Sequence, residues 1–91
     1  MNTEERMQEI RSRLESALQP EVLELVDESH KHVGHAGARD GRGHFYLRIV
    51  SGRFFGQPQI QRHRLVYQAL GGLMQTDVHA LAIDASAPGE T

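Results

Sequence analysis

Apolar side chains return every three or four positions near the start of the chain: Met7, Ile10, Leu14, Ala17 and Leu18 share one side of a helix, while Glu5, Gln8, Ser12 and Glu15 take the other. Asn2 or Thr3 can cap this helix, the acids of its first turn suit the positive end of the helix dipole, and Pro20 stops it by disfavouring helical backbone in the residue before it. The period then changes. Val22 to Asp27 reads as a strand, and from His44 to Ser51 Phe45, Leu47 and Ile49 alternate strictly with Tyr46, Arg48 and Val50, which predicts a second strand with one covered face.

After Pro58 the helical period resumes near Gln59. Ile60, His63, Tyr67, Leu70 and Met74 form its expected buried stripe, widened by Val66 and Leu73, with Gln61, Arg64 and Gln68 opposite and Gly71-Gly72 weakening the last turn. A last strand, Val78 to Asp84, is expected to turn His79, Leu81 and Ile83 inward and Ala80 and Ala82 outward. Helix, strand, strand, helix, strand predicts an α+β domain: a three-stranded mixed sheet, both helices on one face, and a right-handed helical crossover into the last strand. One domain over residues 1-84 and a short flexible C-terminal tail over 85-91 are expected.

Between the first two strands, Ser29 to Gly43 carries four glycines and an Asp40-Gly41 turn signal, far more chain than a hairpin needs. A literal Gly34-His35-Ala36-Gly37 lies here, but a GxxG clamp joins two helices, and this one sits between strands, so it is read as coincidence.

Composition narrows the chemistry. At 91 residues a two-domain enzyme is excluded, and no cysteine means no disulfide, no thiolate nucleophile and no all-cysteine metal site within the chain. No apolar run approaches membrane-spanning length and the N-terminus is acidic, so a cytoplasmic protein without membrane attachment is expected. The net charge of -2 conceals a division: residues 1 to 28 carry eight acids against three arginines, whereas 29 to 64 carry seven basic residues and one acid. Within that basic zone Arg48, Arg53, Arg62 and Arg64 are candidate phosphate contacts, although Arg62 could equally pair with an acid or a helix end.

Six histidines are the main chemical signal, four of them (His30, His32, His35 and His44) in or beside the long loop. Their spacing matches no zinc pattern, and single loop histidines are ordinarily solvated polar groups. His63 reads as a packing residue of the helical stripe, beside Tyr67. His79 is set apart by its place at the end of a core strand, where it is either a satisfied structural histidine or, with a loop histidine, half of a metal site that another molecule completes.

Five segments together are more specific: Val26-Asp27-Glu28-Ser29, His44-Phe45, Val50-Ser51 with Arg53-Phe54 and Gly56, Arg62-His63-Arg64-Leu65-Val66-Tyr67, and Val78-His79-Ala80-Leu81-Ala82. In these the chain resembles the BolA family along nearly its whole length. The resemblance implies a KH-like fold of the second type and a non-enzymatic partner protein that binds a monothiol glutaredoxin and shares a bridging 2Fe-2S cluster, with none expected in the isolated chain. It implies His79 as one ligand and His32 as the second, with His35 a competitor because this loop lacks the usual proline. A role in transcriptional regulation, linked to stress response and cell morphology, is the alternative the family offers, with DNA as partner and Arg62 and Arg64 at its centre. Alone, the chain is expected to be a monomer or weak dimer.

Overall fold

The computed structural model describes residues 2–29 and 43–90, in the order α1 (Thr3–Leu18), β1 (Val22–Asp27), β2 (Gly43–Val50), a 3-10 turn (Gly52–Phe54), α2 (Gln59–Leu70), α3 (Leu73–Thr76) and β3 (Val78–Ser86). His30, His32 and His35 lie outside the described residues. β2 is central, antiparallel to β1 and parallel to β3. The α+β class and the mixed three-stranded sheet are as the periodicities predict.

α1 begins where two side chains exchange bonds with each other's backbone: Glu5 N–H donates to Asn2 Oδ1 at 2.8 Å and Asn2 N–H donates to Glu5 Oε1 at 3.0 Å, a capping box. It ends at Gln19, left-handed at φ 46°, immediately before Pro20. Its buried stripe is Ile10, Leu14 and Leu18, which packs with Leu25 of β1, Phe45, Leu47 and Ile49 of β2, Phe54, and Val66 and Leu70 of α2. Burying each of the larger side chains contributes roughly 1.5–3 kcal/mol, so this one layer between helices and sheet supplies most of the driving force.

α1 is also tied by polar contacts at both ends. Arg13 donates to the Leu70 carbonyl at 2.8 Å, closing the C-terminus of α2, and the buried Ser51 hydroxyl donates to the Leu18 carbonyl at 2.6 Å. At the other end of the sheet Arg6 Nε meets Asp77 at 3.2 Å. Asp77 ionises below the ordinary carboxylate range, first because the Thr76 hydroxyl donates to it and second because of Arg6.

Two expectations for the second helix need correction. Gly71, at φ 54°, ends α2 at Leu70, so Met74 belongs to the separate turn α3. The buried stripe is Arg62, Val66 and Leu70, whereas Ile60 is 62% and Tyr67 41% exposed and His63 is half-buried. Tyr67 is therefore no core residue. Arg62 can lie on the inward line because its guanidinium is bonded to the Gln57 and Ala85 carbonyls and to Glu90, and the stripe through it leaves Ile60 and Tyr67 outside.

The C-terminal stretch expected as a tail from residue 85 begins inside the last strand. β3 continues to Ser86, Ala85 and Ala87 are buried, and Glu90 is bound by Arg62, so described residues 85–90 are part of the packed domain.

Candidate functional site

β3 was expected to turn His79 inward, and it does not. Gly43 pairs with Val78, but the next residue of β2, His44, pairs with Ala80, so β2 advances one residue while β3 advances two. His79 is the extra residue of a β-bulge. A bulge interrupts the two-residue alternation, and here it separates the inward-facing Val78, 1% exposed, from the inward-facing Leu81, leaving His79 and Ala80 together on the exposed side. Beyond the bulge the alternation resumes as expected, Leu81 beside Phe45, Ile83 beside Leu47 and Ala85 beside Ile49.

The bulge brings His79 to a neighbour, His44, that the sequence pattern places beside the loop without marking it as a site residue. His44, second residue of β2, is 7% exposed, and its ring lies 4.8 Å from that of His79, centroid to centroid, tilted by 47°. Both ring nitrogens of His44 are shielded from solvent. Its backbone is held on either side by the end of β1: His44 N–H donates to Ser29 Oγ at 3.0 Å and its carbonyl accepts from Glu28 N–H at 2.7 Å. Parallel pairing of the second and last strands was the signal that could have found this pair, since both histidines open their strands.

The segment from 30 to 42 joins the domain beside this pair. It departs at Ser29, whose N–H donates to Asp27 Oδ1 at 2.9 Å, and returns at Gly43, whose N–H donates to the Asp77 carbonyl at 2.9 Å. Gly43 itself has no room for a side chain, because a Cβ there would stand 2.5 Å from the Phe45 ring. Among the described residues no group of three or more His, Cys, Asp or Glu converges as a metal site. What the described residues offer is one exposed imidazole backed by a buried one, a donor set that needs other groups before it holds an ion.

The four arginines divide. Arg62 is 6% exposed; its Nε donates to the Gln57 carbonyl at 2.7 Å, its NH1 to the Ala85 carbonyl at 3.3 Å, and its guanidinium forks onto Glu90 above the Phe54 ring. It is an internal clamp and does not reach a phosphate, the pairing with an acid that its sequence also allowed. The Glu90 bond raises the pKa of Arg62 further, and Arg62, first, with the Ala87 N–H, second, draws Glu90 down to about 2. Arg48 is half-buried on the helix-free face of the sheet and pairs with Glu24 at 2.8 Å. Arg53 and Arg64 are exposed. No described helix is long and apolar enough to cross a membrane.

A family model described as BolA-like protein matches residues 14–90. BolA-like protein 1 of Mus musculus is 49% identical over 81 residues, which cover 89% of this chain and 57% of the mouse protein. The chain thus spans just over half of that relative's length. The DNA-binding transcriptional regulator BolA of Escherichia coli (strain K12) is 43% identical over 74 residues, covering 81% of this chain and 68% of the relative. Among solved structures, the BolA domain of SufE1 from Arabidopsis thaliana superposes with a TM-score of 0.82 at 41% identity, covering 100% of this chain and 99% of that one.

Proposed function

This chain belongs to the BolA-like family, and we propose that it is a non-enzymatic adaptor that binds a monothiol glutaredoxin and shares a bridging 2Fe-2S cluster with it, in iron-sulfur cluster handling or iron sensing. The observation that carries this reading is the bulge at His79, which spends a break in the strand ladder on presenting one imidazole at the surface. A histidine needed only for packing would have no use for that exposure.

The donor chemistry is compatible with the cluster. Imidazole nitrogen replaces thiolate on iron in Rieske centres, and an iron-sulfur cluster in this setting supplies iron that accepts nitrogen from one protein and sulfur from another. In a chain without cysteine the sulfur must come from the partner. His79 offers one nitrogen, and His32, three residues beyond Ser29 along the chain, is the second donor we assign, with His35 its competitor. Mixing the protein with a cluster-loaded monothiol glutaredoxin should change the visible absorption and circular dichroism of the cluster, and His79→Ala should abolish the change. Unaltered spectra with the natural chain, or the same altered spectra with the variant, would overturn the reading.

A second reading, DNA binding, is favoured by the name of the Escherichia coli relative and by the exposure of Arg53 and Arg64 in a stretch, residues 43 to 76, that contains no acid. Phosphate contacts by these two arginines predict weak, salt-sensitive affinity, and replacing both by glutamine should reduce the slope of log affinity against log salt by about 2. Absence of binding at low salt removes it.

A further inference from the structure

We propose that His44 is the positioning residue that fixes the orientation of the His79 imidazole; this rests on the reading of His79 as a ligand that a partner completes. The bulge determines where the His79 backbone stands, but a bulge leaves the side chain its rotamers. An exposed histidine has about three staggered χ1 wells and about two χ2 orientations, so a ligand competent in one of them is available about one-sixth of the time. His44 is a solid neighbour that restricts that freedom: its ring lies 4.8 Å from that of His79 at a tilt of 47°, within the range of packed rings.

His44 is suited to the task because it cannot move aside. Its ring is buried, and its backbone N–H and carbonyl are both engaged by the end of β1, at Ser29 and Glu28. Phe45, the next residue, is locked in the core beneath Gly43. The shielding of both its ring nitrogens gives His44 the wall and leaves the outward edge to His79.

If only a competent fraction of the chain presents the ligand, the apparent dissociation constant rises in inverse proportion to that fraction, and loss of His44 should weaken the glutaredoxin-cluster complex by up to about six-fold. The test begins on the isolated chain, without any cluster. Three-bond Hα–Hβ couplings of His79, measured by NMR, should report a single χ1 rotamer in the natural protein and in His44→Phe, which keeps a ring in place, and rotamer averaging in His44→Ala. His44→Val provides the same ring-free comparison in a residue suited to a strand, should the alanine variant fail to fold. Titration with cluster-loaded glutaredoxin should then show binding weaker by up to about six-fold for the ring-free variant and near-natural binding for His44→Phe. Natural couplings in a folded ring-free variant would overturn the proposal. The couplings decide the orientation of His79 by themselves, whereas unchanged cluster spectra in His79→Ala would remove the ligand reading and leave the orientation result standing.

Discussion

Arg62 and Glu90 form a two-pronged ion pair, one guanidinium nitrogen to each carboxylate oxygen, with the NH2 to Oε2 contact at 2.9 Å. The pair closes a turn in which Ala87 N–H also donates to the Glu90 carboxylate at 2.9 Å. Its contribution depends on pH in a definite direction. The Glu90 carboxyl titrates near its ordinary 4.5 when unfolded and at about 2 when folded. Between those values the unfolded chain takes up a proton that the folded chain refuses, so the contribution is complete above pH 4.5 and disappears as the pH falls towards 2. Glu90→Gln should lower the thermal midpoint at pH 7 and remove part of the acid sensitivity across this window. Identical pH profiles for the two proteins would show that the pair does not stabilise the fold.

Gly43→Ala tests the entry to β2. The added Cβ would stand 2.5 Å from the Phe45 ring, so ring or strand must shift, an overpacking cost of about 1–3 kcal/mol. Urea denaturation should show the loss, and the amide resonances of His44 and His79 should move with it. A variant of natural stability and unmoved resonances would mean that the approach of Gly43 to Phe45 is looser than described.

The bulge predicts an unusual tolerance. Deleting Ala80 puts His79 opposite His44 in an unbroken ladder and leaves Leu81, Ile83 and Ala85 on the covered face. Such a deletion should still give a cooperative unfolding transition and dispersed amide spectra. Inserting one residue between Leu81 and Ala82 should not, because it turns Ile83 and Ala85 outward. Equal damage from the two changes would contradict the bulge.

Leu47 is fully buried on the central strand, against both helices' inward stripes. Leu47→Ala should cost about 2–5 kcal/mol by lost transfer energy and the cavity left behind. The midpoint of urea unfolding measures it, and a loss below about 1 kcal/mol would imply that the helices collapse into the space.

Much of this architecture was legible because hydrophobic period reports which side of an element is covered. Ile10, Leu14 and Leu18 announce α1, and Phe45, Leu47 and Ile49 announce the face of β2. The errors arise where burial and hydrophobicity part. Arg62 is buried because backbone carbonyls and Glu90 satisfy it, and no hydropathy pattern ranks an arginine above the neighbouring Ile60 or Tyr67. His79 misleads for another reason: alternation carries across the strand only while the ladder is regular, and the extra residue lies two positions before the pattern becomes dependable at Leu81. The His44 partnership needs register as well as period. Residues 85–90 looked like a polar end because the clamp that holds Glu90 is more than twenty residues away along the chain.

The stitching of α1 to the rest has a practical meaning for where this protein can be cut. The family model's match begins at residue 14, but Arg6, Ile10 and Arg13 lie upstream of it, and they grip Asp77, the core and the end of α2 respectively. A piece trimmed to residues 14–90 would lose about three turns of helix and expose the underside of the sheet it had covered. The stretch matched by the family model is therefore shorter than what folds together, and an excised version should be drawn from Asn2.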